Sequence, residues 1–485
     1  MGAMAKGLTV WSRTGLAAVV AVMITVATGT GNRLLAASLN DTYFNAKGAW
    51  GQPMDDQWAV KRVGLTGGAD SAWDLLGDKP KPVVVALIDT GLDWNHKDLS
   101  WKNLWRNKKE IPDNGKDDDG NGYVDDVIGW NFMANNNSPW DHDGHGTFIA
   151  GVIAANQNNG AGIAGINPHA RLMVLKAVNN FGHTRDSYLA KALVYAADNG
   201  ARVANMSVGG KKLSITLQSA VNYAYEKGVV IVVAAGNEGV GADKTGVAKA
   251  DHVITVASTD QDDKRTIFSN WGAHVDIAAP GMDVLSLRGR RTDTIAGIPG
   301  VEYEPESSYV GDDKRYYRAS GTSFSAPIVT GVASLLLSKN PKLTPDQVKR
   351  ILTQSARDID TPGRDQFSGY GLLDARAALK ADPEFFLTTQ IDGVEVITQG
   401  GKPAVKVNGA VTSNALGAVW LEVGKGEQPG SWKKVTDESS STVDGGQLGI
   451  IPAGEFGGSP VWIIKVRARH KNGTERESWF KLSLG

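Results

Sequence analysis

Short apolar runs alternate with helix-like stretches between about residues 80 and 380, and this alternation constrains the fold more than any other feature. Residues 82–88 form a continuous run bounded by Pro82 and by Thr90-Gly91, which is typical of a strand covered on both faces. Similar runs and the helix-like stretches between them occupy residues 172–174, 187–199, 203–208, 217–227, 229–235 and 253–257. The pattern predicts an α/β fold, a mostly parallel sheet with helices on both faces, whose ligands gather at the carboxyl ends of the strands.

The alternation of apolar runs and helix-like stretches ends near Asp382-Pro383. From residue 388 onward, short alternating segments are separated by glycine-rich turns, and in residues 464–469 apolar and basic side chains alternate. Such alternation is typical of a strand with one buried and one wet face. We therefore predict a large α/β domain over residues 38–382 and a small all-β, sandwich-like accessory domain over residues 388–485.

Composition excludes several functional classes. The 485 residues contain 51 Lys and Arg against 52 Asp and Glu, and no cysteine. Balanced charge disfavours a nucleic-acid or anionic-membrane binder, which needs a basic excess. The absence of cysteine excludes disulfides, cysteine-bound zinc and a thiol nucleophile.

The N-terminus has the pattern of an export signal over residues 1–37. Lys6 and Arg13 precede an apolar run at residues 16–26, which is short for a bilayer span. Cleavage is predicted near Ala36-Ala37 or, alternatively, within residues 27–29. We expect a secreted protein without stable membrane association; an uncleaved anchor is the alternative.

Four segments carry residues suited to nucleophilic catalysis. Asp89 lies at the end of a predicted buried strand, His145 lies between two glycines, Asn237 follows an apolar strand, and Ser323 begins a helical run. A buried carboxylate can orient an imidazole, and the imidazole can act as a general base. A serine at a helix N-terminus has backbone N–H groups beside it that favour an oxyanion, which a nearby amide can also bind.

Each segment alone has an ordinary interpretation. A strand-end aspartate can cap a turn, a lone histidine is usually structural, as we interpret His142, and serine is a common N-cap. An Asn-Glu-Gly segment by itself indicates a turn. Pro327 is predicted in the first helical turn, where its missing N–H costs little.

Together, in the order Asp, His, Asn, Ser, these segments resemble the subtilisin-like serine protease family. The resemblance covers about residues 40–380 and is carried by His-Gly-Thr at residues 145–147 and Gly-Thr-Ser-Phe-Ser-Ala-Pro at residues 321–327. It implies a serine endopeptidase acting on proteins or peptides, with the triad Asp89, His145 and Ser323, an oxyanion amide from Asn237, and backbone pairing of an extended substrate. The pairing segment is Ser207-Val208-Gly209. Phe148 departs from the family, which often has a second histidine there.

An acidic loop predicts a calcium site. Oxygen ligands recur at alternate positions around a glycine bend, as in the first half of an EF-hand-type loop. Ile128 occupies the position of the usual final glutamate, so Asp125 or Asp126 must substitute. A solvated acidic turn is the alternative. The predicted ligands are Asp117, Asp119, Asn121, Tyr123 and Asp126.

A second calcium site follows from the family resemblance alone. It implies side-chain ligands from Asp41, Asp98 and Asn159, joined by the carbonyls of Gln157, Ala161 and Ile163. Calcium is expected to stabilise the folded state by binding to it preferentially.

Other interpretations stay open at this point. A serine esterase would need Gly-x-Ser-x-Gly, and the nearest match, residues 205–209, lacks the first glycine. A calcium-dependent binding module can describe the C-terminal domain, and a degenerate, inactive homologue is a further alternative. The insertion at residues 288–318 either borders the substrate cleft or forms a surface loop. We expect a monomer that binds no nucleic acid.

Overall fold

A computed structural model describes residues 39–66, 71–77, 79–210, 212–242, 246–290 and 307–484. The predicted signal peptide and residues 291–306 of the insertion lie outside the described residues. Within the described residues, no helix combines the length and apolar character needed to cross a bilayer.

A seven-stranded parallel sheet forms the centre of the molecule, as the alternating pattern predicts. Its strands are β1 (Val83–Asp89), β2 (Gly129–Asn131), β3 (Ala170–Lys176), β4 (Val203–Met206), β5 (Val230–Ala234), β6 (Val253–Thr259) and β7 (Ile277–Pro280). The spatial order is β2-β3-β1-β4-β5-β6-β7. Strand β1 is therefore interior, paired with β3 on one side and β4 on the other.

Helices cover both faces of this sheet, so the predicted α/β class is confirmed. The helices are α1 (Thr42–Asn45), α2 (Trp58–Arg62), α3 (His145–Ala154), α4 (Asp186–Asp198), α5 (Ile215–Glu226), α6 (Thr322–Lys339), α7 (Pro345–Gln354) and α8 (Ala375–Lys380). Val85 and Leu87 of β1 belong to the core formed with α3 and α6. Ala86 and Ile88 belong to the core formed with α4 and α5. Alternate residues of one apolar run thus bury both faces of the strand.

The predicted insertion begins directly after the first strand of a small three-stranded antiparallel sheet. Its strands are β8 (Val284–Leu287), β9 (Tyr309–Val310) and β10 (Tyr316–Ala319), and the last leads directly into α6. The described ends of the insertion contact the segment after β1: the Arg290 N–H and the Arg315 guanidinium both donate to Asp93, over 2.8 and 3.0 Å. Since Asp93 is fully buried, these bonds fix the insertion's base against that segment.

The C-terminal region consists of two antiparallel sheets with apolar side chains between them. One contains β11 (Leu387–Gln399), β12 (Lys402–Ser413) and β15 (Val443–Pro452); the other contains β13 (Leu416–Lys425), β14 (Lys433–Lys434), β16 (Val461–His470) and β17 (Glu475–Ser483). The prediction that one face of β16 is exposed to solvent is partly wrong. Lys465 is buried, with its Nζ 2.7 Å from Glu422 and 3.8 Å from the centre of the Trp432 ring. A paired charge and an aromatic ring cover it.

Hydrogen bonds join the C-terminal region to the last residue of α7 and to the chain that follows this helix. Arg476 donates to the Gln354 carbonyl over 2.7 Å, and Arg364 donates to Gln390 over 2.8 Å. The Trp479 N–H donates to the Pro362 carbonyl over 3.2 Å. Both regions belong to one compact unit.

Candidate active site

The predicted aspartate and histidine are in direct contact. Asp89 is the last residue of β1 and is fully buried, while His145 is the first residue of α3. His145 Nδ1 lies 2.7 Å from Asp89 Oδ1, which also accepts the Thr90 N–H over 2.8 Å. Because a carboxylate only accepts hydrogen bonds, Nδ1 carries a proton, and Nε2 of the neutral ring is left as the basic atom.

Glycines allow the start of α3 to approach the end of β1 closely. A Cβ atom on Gly146 would lie 2.2 Å from the Gly91 carbonyl oxygen, so no larger residue fits without movement of the backbone. Gly144, which precedes His145, has a φ of 109° that favours glycine. The glycines on both sides of the histidine therefore have separate steric reasons.

Asp141 is a site residue that sequence reasoning missed. Its Oδ1 accepts hydrogen bonds from Thr90 Oγ1 and the N–H groups of Asp143 and Gly144, and its Oδ2 accepts two from Thr147. The residue is fully buried. It fixes the loop before His145 to the residue after Asp89. Its position just before the Asp-Gly-His-Gly-Thr motif was the only available signal.

Nearby carboxylates favour the charged form of the imidazole. Burial disfavours the imidazolium, but the charge of Asp89 and its hydrogen bond to the ring, with the charges of Asp143 and Asp141, outweigh burial and raise the pKa of His145 to about 9. Burial also raises the pKa of Asp143 to about 6. The site therefore stabilises the protonated histidine that a proton transfer to His145 would create.

The predicted nucleophile lies at the start of α6, next in the chain to a phenylalanine whose ring packs near the imidazole. Ser323 is the second residue of the helix, and its Oγ donates to the Ser207 carbonyl over 3.3 Å. The next residue, Phe324, has its ring centre 5.6 Å from that of His145 and 4.3 Å from that of Phe148. Phe148 is thus a packing residue under the site, fully buried. The structure brings Ser323 and His145 into one neighbourhood.

The prediction that Pro327 lies in the first helical turn is wrong. The helix begins at Thr322, which makes Pro327 its sixth residue, inside the helix. Proline therefore removes an intrahelical hydrogen bond to the Ser323 carbonyl. Ser207 Oγ donates to that carbonyl instead, over 2.8 Å. This bond also argues against Ser207 as the nucleophile of an esterase.

Asn237 is joined to the residue before the nucleophile. Its Oδ1 accepts both the N–H and the hydroxyl of Thr322, over 2.8 and 2.9 Å. Since the amide oxygen is engaged there, the NH₂ group is the end that can face an oxyanion.

The predicted substrate-pairing segment begins where β4 ends. Met206 pairs with Val233 as the last pair of β4, and residues 207–209 continue beyond it. Ser207 and Val208 are buried, whereas Gly209 is exposed. The histidine interpreted as ordinary, His142, is exposed as well.

The acidic loop brings together carboxylates from two segments. Oxygen atoms of Glu110, Asp117 and Asp119 lie within 4.8 Å of one another. Glu110 was missed because it precedes the loop motif, although it accepts the N–H groups of Asp118, Asp119 and Asp125. Crowded carboxylates repel unless protonated or neutralised, and a set of hard oxygen atoms suits calcium.

The other predicted ligands of this loop lie beside the cluster. Asp126 is fully buried and accepts hydrogen bonds from Asn107, Asn121 and Tyr195. The alternative ligand, Asp125, instead accepts the N–H groups of Asn114 and Gly115. The Tyr123 ring packs edge-on against Tyr195, at 5.0 Å between centres.

The second predicted site combines two buried carboxylates. Asp41 accepts the N–H groups of Asn158 and Asn159, and Asp98 Oδ1 accepts the Asn159 side-chain amide over 2.7 Å. Burial, with the charge of Asp41, raises the pKa of Asp98 to about 6. These carboxylates fit a cation, but Asn159 Oδ1 accepts the Ala161 N–H, so the amide would have to rotate to become a ligand.

Much of the chain is similar to known proteins. A model of the subtilase family matches residues 81–371, which include all four predicted catalytic residues. Thermophilic serine proteinase from Bacillus sp. (strain AK1) is 34% identical over 310 residues, which are 64% of this chain and 64% of that protein. Thermitase from Thermoactinomyces vulgaris is 35% identical over 301 residues, covering 62% of this chain and 85% of thermitase.

A solved structure supports the fold independently. It is of a protease from Pseudoalteromonas arctica PAMC 21717 and matches with a TM-score of 0.52 and 28% sequence identity. The match covers 70% of this chain and 98% of that chain.

Proposed function

This chain belongs to the subtilase family and is a serine endopeptidase, and on that premise we propose that it cleaves peptide bonds with Ser323, His145 and Asp89 as its catalytic triad. The observation that carries the proposal is the 2.7 Å contact between His145 Nδ1 and the buried Asp89, close to helix α6, in which the serine is the second residue. A buried carboxylate held against an imidazole in this way is the arrangement by which the aspartate of a triad orients its histidine.

The proposed reaction begins with proton transfer. His145 Nε2 removes the hydroxyl proton of Ser323 as Oγ attacks the scissile carbonyl carbon. Asp89 keeps the proton on Nδ1 and stabilises the imidazolium. His145 then protonates the leaving amine, and water hydrolyses the acyl-enzyme by the same base catalysis.

The negative charge on the carbonyl oxygen needs its own donors. We assign this role to the NH₂ group of Asn237 and the backbone N–H of Ser323 at the start of α6. Loss of one such donor typically costs about 2.7–4 kcal/mol of transition-state stabilisation. The engagement of the Asn237 oxygen by Thr322 supports the assignment, because it orients the amide.

The proposed substrates are proteins and peptides in extended conformation. Residues 207–209 continue a strand of the central sheet beyond its last pair, so a substrate backbone can be added beside them. Balanced overall charge gives no reason to expect a nucleic-acid partner. A monomer is sufficient, since the proposed triad comes from one chain.

We also propose that the protein is secreted and stabilised by calcium. The basic and then apolar N-terminus supports export, and the absence of cysteine leaves metal binding as one available source of stability. Glu110, Asp117 and Asp119 would hold one ion, and Asp41 with Asp98 another. Bound calcium would neutralise their charges and favour the folded state.

The proposal is tested by comparing wild-type protein with Ser323→Ala in calcium-containing buffer. We expect the wild type to hydrolyse casein and a chromogenic peptide amide and to be labelled by a fluorophosphonate. Ser323→Ala should do neither while retaining the wild-type circular dichroism spectrum.

The matched control is Ser325→Ala in the same helix. The Ser325 hydroxyl is buried and makes no hydrogen bond with the described residues, so its removal should leave hydrolysis and labelling unchanged. A folded wild type without activity would contradict the proposal. Hydrolysis of esters but not of peptide amides would instead favour the esterase alternative.

A further inference from the structure

The nucleophilic serine has a carbonyl group whose usual helical partner is missing. In an uninterrupted helix the N–H of residue 327 would donate to the Ser323 carbonyl, but Pro327 has no N–H. Ser207 Oγ donates to that carbonyl over 2.8 Å. The partner therefore comes from the end of β4.

Two further buried side chains orient the Ser207 hydroxyl. Asn205 Nδ2 donates to Ser207 Oγ over 3.0 Å, and Thr330 Oγ1 donates to Asn205 Oδ1 over 2.8 Å. Thr330 and Asn205 are fully buried, and Ser207 is 5% exposed. Because the Asn205 oxygen accepts from Thr330, its NH₂ group faces Ser207, and the Ser207 hydrogen is directed to Ser323. We call these three side chains the Thr330–Asn205–Ser207 relay.

The middle residue of the relay lies in the sheet that carries the proposed catalytic aspartate. Asn205 belongs to β4 and pairs with Leu87 of β1, two residues before Asp89. The residue before the nucleophile is also held, because the Thr322 N–H donates to Asn237. The backbone is thus held both before and after Ser323, by two different segments.

Resting on the proposed function, we propose that the Ser207 side chain is a positioning residue for the nucleophile. The hydroxyl holds the Ser323 carbonyl and thereby fixes the first turn of α6, from which both the nucleophilic Oγ and the backbone donor of the oxyanion site project. This role is separate from substrate pairing by the Ser207 backbone, which a side-chain substitution leaves in place.

The first test is Ser207→Ala. Without the hydroxyl, the buried Ser323 carbonyl loses its partner and the first turn can shift. We expect kcat and the rate of fluorophosphonate labelling to fall about ten-fold, with a smaller change in KM. Ser207→Thr, which keeps a hydroxyl, should restore most of the labelling rate. A Ser207→Ala enzyme with wild-type kcat and labelling would overturn the proposal.

The decisive test repeats Ser207→Ala in a Pro327→Ala background. Alanine at residue 327 supplies an N–H that can bond to the Ser323 carbonyl within the helix. In this background, Ser207→Ala should lower kcat and the labelling rate by no more than about two-fold. An equal loss in both backgrounds would contradict the role, because the two residues would then act independently.

A third variant protects the test against poor folding of Pro327→Ala. Thr330→Val removes the far end of the relay without touching the site and should lower the labelling rate in the same direction as Ser207→Ala. An unchanged rate would count against the relay. Failure of the proposed function is distinguished in the same assay, because the wild type itself would then be neither labelled nor active.

Discussion

Thr90 Oγ1 donates a hydrogen bond to Asp141 Oδ1 over 2.9 Å, and this bond joins the end of β1 to the loop that precedes α3. Thr90 Oγ1 in turn accepts the Gly146 N–H over 2.8 Å. The 2.7 Å contact between Asp89 and His145 therefore lies within a frame of buried hydrogen bonds. A contact so short depends on that frame, because the two residues belong to different elements.

Asp141→Ala should lower both stability and activity. Five hydrogen bonds to its carboxylate would be lost, leaving buried donors without partners, so we expect the free energy of unfolding to fall by at least about 3 kcal/mol. Urea unfolding in a Ser323→Ala background measures this without self-digestion. Asp262→Ala, at a 77% exposed side chain, is the control. Equal midpoints for the two variants would show that the frame contributes little.

Proteolysis should increase with pH through an alkaline-shifted titration of His145. In the proposed mechanism the neutral imidazole is the base, so kcat/KM is expected to be low below the pKa of His145 and to rise above it. Because the surrounding carboxylates raise that pKa from 6.5 to about 9, the pH of half-maximal kcat/KM should lie well above 6.5, near about 9.

Asp143→Asn tests the cause of this shift. Removing a negative charge beside the ring destabilises the imidazolium, so the half-maximal pH should move down. The pH profile of kcat/KM on a peptide amide gives the midpoint directly, with the exposed Asp262→Asn as control. A midpoint that stays in place or moves up would mean that Asp143 does not govern the titration.

Glu110→Gln should weaken stabilisation by calcium. The substitution removes one of three clustered carboxylates and so reduces the attraction for a divalent cation. Glu110 also accepts backbone hydrogen bonds, so the informative quantity is the difference between Tm with calcium and Tm after chelation. That difference should shrink in Glu110→Gln but not in Asp113→Asn, an exposed carboxylate of the same loop with a φ of 60° that asparagine tolerates. An undiminished calcium-dependent shift would remove Glu110 from the site.

Gly363→Ala should destabilise the contact with the C-terminal region. A Cβ atom there would lie 2.4 Å from the Glu477 carbonyl oxygen, at a φ of 95°. Gly473 has a φ of 91° with open space around the corresponding Cβ position, so Gly473→Ala isolates the backbone cost of about 1 kcal/mol. We expect Gly363→Ala to cost about 1–3 kcal/mol more, from overpacking. Urea unfolding measures the free energy of unfolding of both variants. Similar losses in the two variants would indicate that the catalytic and C-terminal regions unfold independently, as expected if the C-terminal region is an accessory binding module.

Sequence patterns were most informative where burial dictates the residue type. The apolar runs predicted β1 and β3 to β6, since a strand covered on both faces requires a continuous apolar run. Strand β2 (Gly129–Asn131) has only three residues and falls below what such a pattern can resolve. The buried Lys465 escaped prediction because a lysine on an alternating strand usually faces water.

Site residues outside the motifs were harder to infer. Asp141 and Glu110 act through backbone N–H groups that only the folded loops bring to them, and a carboxylate in a polar segment carries no mark of such a role. The position of Pro327 was misjudged because the helix starts at Thr322, and a helix start is uncertain by a few residues from sequence.

The strand order has a consequence for when the enzyme can first act. Strand β1 lies between β3 and β4, which follow it in the chain, and the proposed triad extends from residue 89 to residue 323. A growing polypeptide thus presents its aspartate and histidine long before its serine has been synthesised, and long-range parallel pairing is slow to form. The topology therefore delays assembly of the proposed triad until the strands that flank β1 and the serine at residue 323 have all been synthesised.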